Sequence, residues 1–260
     1  MRILRLSGLI FSLSLRRELT FRANFLFQAM MTLIGGGSGW IALSLIYTQT
    51  RSLAGWSQGE AGILLGTFQL VSSFLAAFIE PNLSWFGGQI KDGKFDHLLL
   101  RPVSSLFSAS LGSCAPLAIT QALPGLIIII ISLHQLSLVP SLWNWLGWLL
   151  LLVVGCTITW ASRVLLASLA FWTPAIELDV LYSAFWQFGR YPSDIYRQPL
   201  RSLLTFILPI AFVATFPART LTRGPDLPIL LSGTALGLFA ILLTHLAWQR
   251  GLRRYTSATS

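Results

Sequence analysis

Long apolar runs constrain this chain more than any other feature. Five mostly apolar segments lie at roughly 23–48, 60–80, 104–133, 143–171 and 227–249, and a membrane-spanning helix needs about 20 such residues. Only 10% of the 260 residues are charged, against about 25% in soluble domains. The mean hydropathy is +0.70. We therefore predict an all-α integral membrane protein, with residues 1–260 forming a single transmembrane domain.

The charged residues are mostly basic and give the chain a net charge of +9. In a soluble protein this excess would indicate nucleic-acid binding, but here the cations stand at the ends of apolar runs, so we expect no nucleic-acid partner. The cations form three groups. The first precedes the first apolar run and consists of Arg2, Arg5, Arg16, Arg17 and Arg22; the second lies between the second and third runs and consists of Lys91, Lys94 and Arg101. The third follows the last run and consists of Arg250, Arg253 and Arg254. An even number of spans places all three groups on one side. The positive-inside rule makes that side the cytoplasm, together with both termini.

The N-terminal segment 1–21 has the pattern of a helix that lies in the membrane interface. Its apolar residues recur at helical spacing at Ile3, Leu6, Ile10 and Leu13, and Arg16 and Arg17 follow them. No small-residue cleavage site appears, so we predict an uncleaved amphipathic helix rather than a signal peptide.

A sixth span lies within 176–218, and two topologies fit it. In the first, 176–200 is cytoplasmic and 201–218 crosses the membrane, which the charge rule favours. In the second, a short fifth span covers about 176–190, and 191–222 dips into the membrane from outside. Proline spacing favours the second topology because proline breaks helices, and the prolines concerned are Pro192, Pro199, Pro209 and Pro217.

The segment Gly88–Lys94 matches the G-x-x-x-x-G-K pattern of a phosphate-binding loop. A working loop of this kind needs Ser or Thr after the lysine, where this chain has Phe95. A phosphate-binding loop also follows a buried strand, whereas the segment Gly88–Lys94 follows an apolar span that ends near Glu80. We interpret the match as coincidental and expect no nucleotide or other cofactor to be bound by this chain.

The loop 81–102 is nevertheless the largest hydrophilic segment, with mixed charges and aromatic residues. One interpretation is a solvated loop anchored by its aromatic side chains. The other is a short amphipathic helix at the cytoplasmic surface that binds a soluble partner. Its candidate docking residues are Lys91, Asp92, Lys94, Phe95, Asp96, His97, Leu98 and Arg101.

No catalytic or metal-binding constellation stands out. The three histidines are far apart in sequence, and Glu177 and Asp179, two residues apart, would not share a helix face. We place this pair in a turn after Pro174 and predict neither an enzyme nor a metal site. Arg163 and Glu80 are expected near the cytoplasmic edge because charge at the bilayer centre is costly; the alternative is a polar lining for a substrate path.

Two stretches carry a family resemblance: GKFDHLLLRP at 93–102 and FGRYPSDIYRQPLRSLLTFILPIAFVATFPA at 188–218. With the predicted spans, they resemble the permease subunits of type 2 ATP-binding-cassette (ABC) exporters, in the branch of uncharacterised ABC transport permeases. The resemblance implies a bacterial cytoplasmic membrane protein, with six spans, a coupling helix between spans 2 and 3, and an outer re-entrant helix pair at 191–222. It thereby favours the second topology. We assign an outer gate to that pair at Tyr191, Pro192, Pro209, Phe216 and Pro217.

The resemblance also implies partners. Two copies of a soluble ABC ATPase would bind ATP and magnesium, and a second permease, the same or a different chain, would complete the export path for a lipid-like or hydrophobic substrate, with membrane lipid around it. Phe95 and Leu98 are expected to fill apolar pockets of the ATPase, so that replacing both with Ser uncouples ATP hydrolysis without disturbing membrane insertion. The alternatives are a stand-alone secondary transporter, which would need inverted repeats and midplane ionisable groups, and a non-transporting assembly protein.

Overall fold

The structure is a computed structural model that describes residues 2–20, 22–84, 86–173 and 179–255. The described residues form no strand beyond one isolated bridge between Leu53 and Trp56. Their helices are α1 Arg2–Thr20, α2 Arg22–Gln49, α3 Gln58–Phe74, α4 Glu80–Leu83, α5 Phe86–Lys91, α6 Lys94–Leu99, α7 Ser105–Leu111, α8 Ala122–Gln135, α9 Leu142–Ser168, α10 Asp179–Trp186, α11 Leu200–Ser202, α12 Thr215–Arg223 and α13 Leu227–Arg254. The all-α class is therefore confirmed.

Five helices of the described chain are long and apolar enough to cross a membrane, whereas six spans were predicted. They run over Met30–Gln49, Gln58–Lys91, Pro116–Gln135, Leu142–Phe171 and Leu227–Arg254. The predicted fifth span corresponds to α10 and the 3-10 turn Gln187–Arg190, which together are too short to cross alone. Residues 174–178, which include Pro174 and Glu177, lie outside the described residues, as do residues 1 and 21 of the predicted interfacial helix.

The bundle has two ends, which we name after the buried aromatic residue at each. At the Phe95 end, the ends of α9 and α13 meet α6, since Phe171 and Trp248 both contact the Phe95 ring. At the Trp56 end, the starts of α3 and α9 meet α12. Arg223 of α12 forms an ion pair with Glu60 of α3, and the Asn144 amide of α9 donates to the Leu221 carbonyl of α12. α3 is the central helix, with 67% of its most apolar window buried, against 17% for α2 and for α13.

The predicted third span, 104–133, is not one helix. α7 ends at Leu111, residues 112–115 interrupt the helix, and a 3-10 turn, Pro116–Gln121, leads into α8. Proline lacks a backbone N–H and suits a helix start, so Pro116 explains where the second piece begins. Opposite the break, α3 continues as a π-helical turn, Leu75–Ile79.

The break and the π-helical turn are joined by hydrogen bonds. The Ala115 N–H donates to the Ala77 carbonyl at 2.8 Å. The Asn82 amide donates to the Ser113 carbonyl at 2.8 Å, and its oxygen accepts the Ser113 N–H at 2.7 Å. These bonds satisfy backbone groups that an unbroken helix would pair internally, so the break is a built feature of the fold.

The segment 191–222, which we call the re-entrant segment after the second predicted topology, folds back on itself. Near its start, the Ser193 N–H donates to the Thr215 hydroxyl at 3.2 Å, so the chain leaves and returns at one place. Between these residues it reaches Gly155, midway along α9, where an added Cβ would lie 3.1 Å from the Phe212 carbonyl oxygen. Glycine at 155 allows this close approach.

Candidate functional site

The residues predicted for partner docking form a helix–turn–helix at the Phe95 end. α5 ends at Lys91, and Gly93 turns the chain with φ 69°, a left-handed conformation that glycine adopts at no steric cost. α6 then begins at Lys94, whose Nζ lies 2.8 Å from an Asp92 carboxylate oxygen. The G-x-x-x-x-G-K match therefore lies on two short helices, whereas a phosphate-binding loop follows a strand.

Phe95 is not available to a partner, which corrects its predicted docking role. Its side chain is 0% exposed and its ring contacts four others with centroids 5.1–6.0 Å apart. The rings belong to Phe86, Phe171, Trp248 and Tyr255. Leu98 is half-buried against the same cluster. The apolar face of α6 therefore packs on the ends of α9 and α13 within this chain.

Asp96 also faces this chain. Its carboxylate accepts a hydrogen bond from the Tyr255 hydroxyl at 2.9 Å. Desolvation and the neighbouring Asp96 raise the pKa of Tyr255 to about 12, so the phenol stays protonated and remains the donor at neutral pH. The contact ties the end of α13 to α6 in addition to the ring packing.

The remaining predicted docking residues are exposed on the outer face of the same element. Lys91, Asp92, Lys94, His97 and Arg101 all lie there. Beside them are two leucines that the sequence interpretation passed over, Leu99 at 40% and Leu100 at 82% exposed. Their signal was the Leu98–Leu100 triplet, which must turn some apolar side chains outward on any short helix. We call Lys91, Lys94, His97, Leu100 and Arg101 the α6 surface.

The predicted outer-gate residues lie at the Trp56 end but do not form one cluster. Pro192 and Pro217 are buried, and Pro217 stands in the first turn of α12, where proline is tolerated. Phe216 packs on Phe212 with centroids 4.6 Å apart. Pro209 lines a separate apolar cavity at the tip of the re-entrant segment, and Tyr191 is half-buried at the start.

A charged cluster that the sequence did not reveal fastens the re-entrant segment. The Asp194 carboxylate accepts from the Arg201 and Arg219 guanidiniums at 2.5 and 2.6 Å and from the Trp56 indole N–H at 3.0 Å. Glu60 at the start of α3 pairs with Arg223 at 3.0 Å. Two of these contacts, Trp56 to Asp194 and Glu60 to Arg223, join residues more than 130 positions apart in the chain, so sequence spacing carries no sign of them.

A polar cavity of about 270 Å³ lies along the second half of α3 and the π-helical turn that follows it. Arg163 and Glu80 both line it, and Glu80 is exposed. Arg163 is 5% exposed and its Nη1 donates to Asp179 at 2.8 Å. Asp179 is therefore an ion-pair partner at the start of α10, rather than part of a plain turn. Among the described residues no group of three or more His, Cys, Asp or Glu side chains could hold a metal ion.

Comparison with known proteins gives one family. Neither the curated proteins nor the solved structures gave a match. The family model described as ABC-2 family transporter protein matches residues 33–259, which include most of the first long apolar helix, all of the other four, the α6 surface and the re-entrant segment. The chain therefore belongs to the ABC-2 transporter family, as a membrane permease component of a transporter that works with an ABC ATPase.

Proposed function

We propose that this chain is the permease of an ABC exporter and that the α6 surface is where the ATPase docks. The carrying observation is that Leu100, 82% accessible, is exposed on the same segment as four exposed cationic or titratable side chains, those of Lys91, Lys94, His97 and Arg101. An apolar side chain within a polar rim is the usual anatomy of a protein–protein contact. ATP and magnesium would be bound by the ATPase, and this chain would contribute no catalytic group.

The packing of α6 supports a mechanical role for this contact. Phe95 joins α6 to the ends of α9 and α13, and the Tyr255 hydroxyl adds a hydrogen bond to Asp96. A force applied to α6 would therefore reach two long helices directly, without passing through a mobile linker. Two ATPase copies closing on two permeases, identical or different, would in this way move both permeases together.

The proposed setting is the bacterial inner membrane, with both termini in the cytoplasm. The Tyr255–Asp96 contact places the described C-terminal end beside α6. α1 lies near the same end, where the Glu18 carboxylate accepts the Leu117 N–H at 2.8 Å. A cytoplasmic ATPase could therefore meet this face of the bundle, which agrees with the positive-inside rule for Lys91, Lys94 and Arg101.

Replacing Leu100 with Ser tests the docking surface. Burying a leucine side chain contributes about 1.5–3 kcal/mol, so L100S should weaken capture of the partner ATPase by the tagged permease roughly tenfold or more. Co-purification and stimulation of ATP hydrolysis are the measurements. Val139→Ser is the matched control because Val139 is also highly exposed but lies between α8 and α9 at the Trp56 end. Equal ATPase capture by L100S and V139S would reject the proposed surface.

A further inference from the structure

The polar cavity along α3 holds side chains that the docking surface leaves unexplained. It lies between α3, the turn Pro116–Gln121, α9 and α10. Three carboxamides line it, those of Gln69, Gln121 and Gln187. None of the three forms a hydrogen bond within the part of the chain that the structure describes. Because polar groups inside proteins are normally paired, these carboxamides are available to a ligand.

One end of the cavity carries a cation at membrane depth. The Arg190 side chain is exposed, and its guanidinium lies 6.0 Å from the centroid of the Phe68 ring. Phe68 is about 15 Å along the helix axis from Gln58, where α3 begins, which is half the thickness of a hydrocarbon core. Arg190 forms no ion pair or hydrogen bond with the described residues. A charged side chain at this depth is costly and commonly marks a substrate path.

The other end of the cavity carries a net negative charge. Glu80 lines the cavity and interacts electrostatically with Arg163 and Asp179, and Arg163 donates to the Asp179 carboxylate at 2.8 Å. Two carboxylates therefore accompany one guanidinium, which leaves one negative charge uncompensated. Glu80 and Phe68 are separated by about 18 Å along the helix axis at 1.5 Å per residue, so the two ends of this single cavity have opposite charge.

This arrangement fits the backbone of a short peptide. A free peptide carries an ammonium group at one end and a carboxylate at the other, and three to five extended residues span about 10–18 Å. Its amide groups donate and accept hydrogen bonds, as glutamine carboxamides do. The volume of about 270 Å³ is near the lower limit for ligand sites, which favours a short chain. Ser183 and Gln187 are exposed, so the cavity is open beside α10, where the side chains of the peptide would project.

We propose that this cavity binds a short zwitterionic peptide, with its ammonium group towards Glu80 and its carboxylate at Arg190. The site recognises the two charged ends and the backbone, so it should tolerate different side chains. The binding site stands on the cavity itself, whereas a role in export rests on the proposed function.

The test measures binding of isotope-labelled tetraalanine by equilibrium dialysis. The protein is the full-length chain, purified in detergent without the ATPase. Two blocked peptides are the matched ligands: N-acetyl-tetraalanine lacks the ammonium group, and tetraalanine amide lacks the carboxylate. Each should bind about tenfold more weakly than tetraalanine, because each loses one charge-assisted contact.

Variants of the chain assign each charge to one end of the peptide. Arg190→Gln should weaken binding of tetraalanine about tenfold but leave binding of the amide unchanged, because the amide has no carboxylate to lose. Glu80→Gln should weaken binding of tetraalanine but not of the N-acetyl peptide. Retained binding of the blocked peptide shows that each variant is folded. Arg197→Gln is the matched control, since Arg197 is exposed at the Trp56 end and does not line the cavity.

The proposal is rejected if R190Q binds tetraalanine as tightly as R197Q, or if E80Q does so. It is also rejected if the blocked peptides bind as tightly as the free one, or if single alanine competes as well as tetraalanine. Because the ATPase is absent, peptide binding can fail while ATPase capture persists, and capture can fail while peptide binding persists. The two proposals are therefore rejected by different results.

Discussion

At the residue scale, the structure buries Phe95, to which the sequence assigned a docking role, and exposes Leu100, for which the sequence predicted no role. Both belong to one hydrophilic segment, and nothing in their spacing says which of them packs on the protein itself. The decision comes from α9 and α13, whose ends bring Phe171 and Trp248 against Phe95. Leu100, one residue past the end of α6, has no such neighbours and stays exposed.

Replacing Phe95 with Ser should therefore destabilise the chain itself. Truncating a buried phenylalanine costs about 3–5 kcal/mol, so F95S should lower the thermal unfolding temperature in detergent and reduce ATPase capture as a consequence. This replaces the expectation of an intact but uncoupled protein. F95L, which keeps most of the apolar volume, should recover most of the stability. An F95S chain that unfolds at the wild-type temperature would contradict the buried assignment.

The structure also changes how the arginines of the re-entrant segment are interpreted. As bare charges, Arg201, Arg219 and Arg223 oppose the positive-inside rule at the Trp56 end. In the structure each is paired with Asp194 or Glu60, and two of them lie 5.7 Å from the centroid of the Trp56 ring. They fasten the re-entrant segment to α3, so they are part of its packing rather than free topological signals.

At the element scale, the interrupted third span and the π-helical turn of α3 act as one unit. A π-helical turn is often found at functional sites, and here it frees the Ala77 carbonyl to accept the Ala115 N–H. Asn82 completes the junction through Ser113. Since α3 leads from this junction towards α5 and α6, the junction connects the proposed docking element with the third span.

Asn82→Ala should loosen this junction. It leaves the Ser113 N–H and carbonyl without their partner, at a cost of about 1–3 kcal/mol. Hydrogen–deuterium exchange should rise in the peptide covering 111–118 and remain unchanged in α13. Asn144→Ala is the matched control, because Asn144 also donates to a backbone carbonyl, that of Leu221, but at the Trp56 end. Identical exchange over 111–118 in N82A and wild type would show that the junction is not held by Asn82.

At the scale of the whole molecule, the path of the chain between α9 and α13 separates the two predicted topologies. α9 ends and α13 begins at opposite ends of the bundle, and α10 with the turn that follows runs part of the way between them, from Asp179 beside Arg163 to Arg190 beside Phe68. The segment 191–222 then dips and returns on the Trp56 side. In the first topology 201–218 would instead have crossed, leaving Arg197 on the side of α6.

Cysteine labelling tests this arrangement and the proposed orientation together. In a chain with Cys114 and Cys156 replaced by Ala, Arg197→Cys should react with a membrane-impermeant maleimide on intact cells. Lys91→Cys, the counterpart at the Phe95 end, should react only after permeabilisation. Labelling of both on the same side would support the first topology, and the reverse pattern would invert the proposed orientation.

The sequence by itself determined the class of this protein, its long apolar helices and its family. These follow from composition, segment length and local motifs, which are properties of neighbouring residues. Only the tertiary structure decided the break in the third span, the burial of Phe95, the pairing of Arg163 with Asp179 and the fastening of the re-entrant segment by Asp194. Each of these depends on which distant residue lies opposite, and a membrane span presents many equivalent apolar faces from which spacing cannot choose.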